Sequence, residues 1–234
     1  GPVVIDIPKD VQFATGTYHG PKNIQHKTYR PKVKGDMDAI RHAVQMLGKA
    51  HRPVFYTGGG VINSGPHASQ LLRELVRTTG FPITSTLMGL GAYPGNDEQF
   101  LGMLGMHGTL EANMAMHEAD LIVCVGARFD DRITGRLDAF APHAKKIHID
   151  IDPSSINKIV KVDVPIVGDV GHVLEDMIRV WKQSQPQVDK AALQKWWDKI
   201  AVWRGRKCLA YRNSDEIIKP QYALQRLQEA VKGT

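Results

Sequence analysis

The run Asp120-Leu121-Ile122-Val123-Cys124-Val125-Gly126-Ala127-Arg128-Phe129-Asp130-Asp131-Arg132 decides the fold. Leu121 to Val125 is apolar without alternation. That pattern reads as a strand buried on both faces, as in a parallel sheet covered by helices. Gly126 ends the strand, and charges crowd its exit at Arg128, Asp130, Asp131 and Arg132. Parallel sheets bind ligands outside the carboxyl ends of their strands, so this exit is a candidate site. Arg128 there has the planar fork that grips phosphate; a surface salt-bridge knot is the alternative.

Working outward, Pro53–Tyr56, Pro82–Thr86, Lys146–Asp150 and 162–167 read as further strands. Helices are expected from Asp36, with Asp36 or Asp38 as N-cap, and over His67–Thr79, Thr109–Ala119 and Val170–Trp181. Strands alternating with such helices predict βαβ units and an α/β fold, a parallel sheet with helices on both faces.

The flanks differ from this body. Residues 1–35 open with Val3–Ile7, which reads as a strand, and continue without periodicity as a linker. The opening Gly1-Pro2-Val3-Val4 is expected of a segment of a longer protein. Beyond Gln187, Leu193, Trp196, Trp197, Ile200 and Trp203 form an aromatic stripe at helical spacing. It suits either a helix packed on its own domain or a docking surface for a neighbouring one. The expected organisation is therefore 1–35 as domain end and linker, 36–183 as the α/β domain and 184–234 as a helical linker.

Composition excludes several classes. The net charge of +6 divides into +4 over residues 1–35, −4 over 36–181 and +6 over 182–234. Basicity confined to the flanks argues against a nucleic-acid surface, which would lie on a folded face among aromatics. The longest apolar run is far below the ~20 residues of a membrane span. No signal peptide is read at the start. Cys124, in a strand, suits a small buried hydrophobe, and two cysteines imply a reducing, cytoplasmic setting. No His-Glu-x-x-His, P-loop or Gly-x-Ser-x-Gly occurs, so no metal ligands or catalytic nucleophile are assigned.

Other strand exits also carry ligand-binding residue types. Gly58-Gly59-Gly60 follows the strand at 53–56 and offers backbone approach and N–H groups to phosphate, or simply a tight turn. Gly102 to Gly108, with Met106 and His107, suits a flat cofactor or a flexible loop. Asp150-Ile151-Asp152-Pro153 offers a carboxylate to ribose hydroxyls, or a turn. Gly168-Asp169 ends another strand in the same way. Together they suit an adenine dinucleotide.

The segments Pro8-Lys9-Asp10-Val11, Gly105-Met106-His107-Gly108, Gly126-Ala127-Arg128-Phe129-Asp130-Asp131-Arg132 and Ile149-Asp150-Ile151-Asp152-Pro153 closely resemble the acetolactate synthase (acetohydroxyacid synthase) catalytic subunits. The resemblance runs over nearly the whole chain and places it as the central domain of a three-domain thiamine-diphosphate enzyme. It implies a Rossmann-like six-stranded parallel sheet that binds FAD. It also implies an enzyme that joins two pyruvates, or pyruvate and 2-oxobutanoate, in branched-chain amino-acid synthesis. Thiamine diphosphate and Mg2+ would be held by other domains, so no complete active site is expected here. A homo-oligomer (dimer or tetramer) with a small regulatory subunit is implied too.

Carried over, the resemblance puts FAD along Gly58, Gly59, Gly60, Thr86, Leu87, Met88, Met106, His107, Gly108, Gly126, Ala127, Arg128, Asp130, Arg132, Ile133, Asp150, Ile151, Ser155, Gly168 and Asp169. Lys9, Met106, Asp131 and Arg132 would line the substrate channel. Some relatives have Glu at Asp150 and Asn at Ser155; each still offers a hydrogen bond. The alternatives are a glyoxylate carboligase or pyruvate oxidase type of flavoprotein, a nicotinamide-binding domain, and a non-catalytic module that docks through the tryptophans.

Overall fold

The structure is a computed structural model and describes residues 3–20 and 30–231. It divides into two units, Gly1–Arg30 and Pro31–Thr234. In the first, the one helix among the described residues is α1 (Lys9–Phe13), with Pro8 as its N-cap and no buried residue. The strand expected over Val3–Ile7 is absent: these residues are exposed, with no ladder partner among the described residues. β-branching alone does not make a strand, because the backbone hydrogen bonds must come from a neighbour.

The second unit opens with α2 (Met37–Lys49) and β1 (Pro53–Thr57), followed by α3 (Gly59–Ser64), α4 (Pro66–Thr79) and β2 (Ile83–Ser85). β3 (Phe100–Met103), α5 (Leu110–Glu118), β4 (Leu121–Val125), the short α6 (Asp131–Thr134), β5 (Lys145–Asp150) and β6 (Val164–Val167) come next. The chain then runs through α7 (Val170–Ser184), α8 (Lys190–Arg204) and α9 (Pro220–Ala230). The six strands form one sheet, order β3-β2-β1-β4-β5-β6, and every pair is parallel. The direction of winding reverses between β1 and β4.

The expected caps are in place. Asp36 accepts from the N–H groups of Asp38 and Ala39 and starts α2; Gly80, left-handed at φ 74°, stops α4. The residues alone revealed five strands of this sheet. β3 escaped because it is four residues long, only partly buried, contains Gly102 and meets β2 with a register irregularity.

Helices cover both faces. α2, α3, α4 and α7 bury Ile40, Leu47, Val61, Leu72, Leu75 and Met177 against Phe55, Val123, Val125, Ile147 and Ile149. On the other face α5 and α8 pack on Val54, Tyr56, Ile122 and Cys124. The tryptophan stripe therefore belongs to its own domain. Trp196 is 1% exposed and donates through Nε1 to the Pro53 carbonyl at 3.0 Å, while Trp197 Nε1 donates to Gly80 O at 3.0 Å. α9 buries no residue among the described ones.

Candidate functional site at the strand exits

The reversal between β1 and β4 brings two glycine-containing loops together, and they touch. A Cβ on Gly58 would lie 2.5 Å from Gly126 O and 2.6 Å from Ala127 Cα; one on Gly60 would lie 2.7 Å from Gly126 Cα. The N–H groups of Gly58 and Gly60 donate to Val125 O at 3.1 Å and Gly126 O at 2.8 Å. The room these glycines leave is thus filled by neighbouring backbone, and their N–H groups are engaged. Gly59, partly exposed beside Met88, makes no such bond.

The loop after β4 is different. Among the described residues no acceptor takes the N–H groups of Ala127, Arg128 or Phe129. The Arg128 side chain is 69% exposed and only loosely paired, 3.7 Å from Asp130. Asp130 caps α6 by accepting from Arg132 N. A small pocket of about 60 Å³ lies between this loop and the β5 exit, lined by Arg128, Asp130, Ser155, Lys158 and Ile159. Lys158 adds a second cation there that sequence reasoning missed. It lies in a segment with no strand or glycine to flag it.

Exposed apolar side chains surround the exits: Leu87 at 68%, Met88 at 75%, Met106 at 76%, and also Leu90 and Ile151. The Gly105–Gly108 turn that carries Met106 and His107 is clamped by Asn113, which accepts from Gly105 N at 2.8 Å and donates to Gly105 O at 2.9 Å. The same turn lies against Arg132 and Ile133. Gly108 fits only without a side chain, since a Cβ would sit 2.3 Å from Met103 O. Thr86 caps the turn bearing Leu87 and Met88 by accepting from Gly89 N.

The acidic positions are partly committed. Asp150 accepts from Asp152 N at 2.8 Å, and Ser155 Oγ donates to Asp152 at 3.2 Å. Asp169 is the N-cap of α7 and also accepts from Ser64 Oγ at 2.9 Å. Gly168 packs on Gly35. Asp131 and Arg132 are exposed at the start of α6. Lys9 belongs to the first unit, the other site residues to the second. A cavity of about 880 Å³ lies along α2, α4 and α7, where Lys182 pairs with Glu74 and Arg179 with Asp176. It carries none of the site residues.

Beneath the β4 loop, His148 is fully buried, with Nε2 2.8 Å from Ala127 O and Nδ1 without a partner. Burial holds its pKa below the ordinary 6.5, outweighing the carbonyl and Asp150. A histidine depressed in the folded state takes up its proton more readily when unfolded. Its contribution to stability is therefore lost as pH falls below the unfolded value. Between pH 7 and pH 5 the melting temperature is expected to fall more steeply in the parent than in His148→Gln; parallel melting curves would contradict this.

Residues 40–177 match the family model "Thiamine pyrophosphate enzyme, central domain". The chain is 47% identical over 236 residues to the acetolactate synthase large subunit of Buchnera aphidicola subsp. Schizaphis graminum, covering 100% of this chain and 40% of that protein. It is 46% identical over 235 residues to acetolactate synthase isozyme 3 large subunit of Escherichia coli (strain K12), covering 100% and 41%. It is 42% identical over 231 residues to the acetolactate synthase large subunit IlvB1 of Mycobacterium tuberculosis, covering 98% and 37%. The chain thus spans about two fifths of the length of the relatives it matches. A match from the first buried turn of α2 to the middle of α7 takes in the entire sheet, and on that ground the chain belongs to the family of thiamine pyrophosphate enzyme central domains.

Proposed function

We propose that this chain is the FAD-binding central domain of an acetolactate synthase catalytic subunit. The whole enzyme would condense two pyruvates, or pyruvate and 2-oxobutanoate, with loss of CO2. The observation that carries the FAD reading is the β4 exit: three unpartnered N–H groups and an exposed Arg128, bordered by exposed Leu87, Met88, Met106 and Ile151. Successive free N–H groups and a guanidinium suit a diphosphate. The apolar side chains suit a flat ring system, and a surface of this kind marks a binding site more often than ordinary exposure. Asp150, at the end of β5 with its side chain 13% exposed, suits a ribose hydroxyl. The residues fit the group.

Carboligation has no net redox change, so the flavin would brace the crevice while thiamine diphosphate, with Mg2+, supplies the carbon–carbon chemistry elsewhere in the whole protein. Met106, Asp131 and Arg132 would line the substrate channel of the whole enzyme; Lys9, in its own unit, carries the same resemblance. The same reading carries a homo-oligomer, a small regulatory subunit and a cytoplasmic location. No helix among the described residues is long and apolar enough to cross a membrane.

The test is FAD titration of the full-length protein, followed by flavin absorbance and fluorescence. Arg128→Ala is expected to weaken binding by about 1–3 kcal/mol, the range for losing a charge-assisted hydrogen bond. Unchanged affinity would return Arg128 to its pairing with Asp130. Preference for a nicotinamide dinucleotide over FAD would overturn the flavin reading.

A further inference from the structure

One row of side chains crosses the sheet just below the strand exits, on the face covered by α5 and α8. The register places Thr84 beside Tyr56, Tyr56 beside Cys124, and Cys124 beside His148. All four are fully buried. On an otherwise apolar face, four polar side chains in register would each cost free energy unless satisfied. Three of them reach up to a loop carbonyl. Tyr56 OH donates to Arg128 O at 2.9 Å, Cys124 Sγ to Ala127 O at 3.0 Å, and His148 Nε2 stands 2.8 Å from the same Ala127 O. Thr84 Oγ1 instead donates to Gly102 O at 2.8 Å, within the neighbouring strand β3.

The consequence is directional. Ala127 O uses both lone pairs on the row, and Arg128 O is taken by Tyr56. The carbonyl ends of these peptides are held down into the core. Phe129 locks the arrangement, its ring 5.7 Å from Tyr56 and 5.3 Å, edge on, from His148. Burial also raises the pKa of Tyr56 and of Cys124, so both remain protonated donors.

We infer that Tyr56, Cys124 and His148 are positioning residues: by pinning the Ala127 and Arg128 carbonyls they hold the β4 loop with its N–H groups and the Arg128 side chain free for an anionic ligand. The inference deepens the proposed function, and its FAD arm rests on that reading. The row acts through the loop and touches no ligand itself.

The experiment uses the full-length protein and two readouts. The first, without flavin, is the rate of tryptic cleavage after Arg128. Tyr56→Phe and His148→Leu are expected to raise it by about tenfold, the effect of one lost hydrogen bond. His148→Gln, which keeps an N–H donor, restores resistance to cleavage. Thr84→Val loses a buried donor of the same row but leaves this loop unchanged. The second readout is FAD affinity, expected to drop about tenfold in Tyr56→Phe and by clearly less than tenfold when Tyr56→Phe is added to Arg128→Ala. Rapid cleavage in Thr84→Val, unchanged cleavage in Tyr56→Phe, or a loss that adds in full to that of Arg128→Ala would overturn the positioning role. Failure of the unmodified protein to bind FAD would instead remove the flavin reading, and the cleavage readout alone would then decide the role of the row.

Discussion

Replacing Trp196 with alanine is expected to destabilise the second unit by about 3–5 kcal/mol, the range for deleting a large buried aromatic. For a unit of this size that is a fall in Tm of roughly 6–20 °C. Trp196 is among the largest fully buried side chains and stacks edge-on with Trp203 at 5.7 Å. Its removal leaves a void between α8 and the sheet and strips Pro53 O, at the start of β1, of its donor. Nothing nearby can collapse into the space cheaply, because Val54, Ile122 and Ile200 beside it are already buried in the same cluster. Trp197→Ala should cost less: its ring is partly exposed under Arg204, 5.8 Å away, and lies at the margin of the core cluster with its N–H on Gly80 O. Thermal and urea melts of the two variants give the comparison. A Trp196→Ala protein that melts with the parent, and differs only in binding another protein, would restore the docking reading of the stripe.

The tryptophans also show where the sequence stops speaking. Their helical spacing was legible, but the same spacing serves a core and an interface, and only Pro53 O and Gly80 O decide between them. The sheet was legible from Leu121–Val125 and its kin, because an apolar run this short between turn residues suits a buried strand better than a helix. β3 was not, since Phe100–Met103 is an edge segment whose pairing depends on β2 rather than on its own residues. Cys124 reads as a small hydrophobe, and Tyr56 and His148 carry no signal of their own. Their meaning lies in register, which sets three distant residues side by side and cannot be read from any one strand. The loop positions were legible by residue type: Gly, Arg and Asp at strand exits. What each does was not. Asp169 reads as a ligand contact, yet its carboxylate caps α7 and takes the Ser64 hydroxyl.

Gly58, Gly59 and Gly60 carry that distinction furthest, and substituting them one at a time separates chain packing from ligand access as the reason for a glycine-rich turn. Gly58→Ala is expected to cost about 3 kcal/mol or more, at the upper end for overpacking. The added Cβ would meet Gly126 O at 2.5 Å and Ala127 Cα and Cβ at 2.6 Å. These are atoms of a main chain that cannot swing aside as a flexible side chain would. Gly126 is itself held at φ 58° with its N–H donating to Ile149 O at 2.9 Å. Gly60→Ala should behave alike, with Gly126 Cα at 2.7 Å. Gly59→Ala meets only Met88, its Cβ at 3.2 Å on an exposed turn, and should stay within about 1 kcal/mol. Gly95→Ala, with nothing within 4 Å, serves as the neutral control. Were these glycines kept solely to admit a ligand, all three substitutions would leave the flavin-free protein as stable as the parent and weaken only FAD. Chain-to-chain packing predicts that Gly58→Ala and Gly60→Ala lower the flavin-free Tm while Gly59→Ala does not. A flavin-free Gly58→Ala protein that melts at the parent temperature would mean that the two loops are not held together as their hydrogen bonds require.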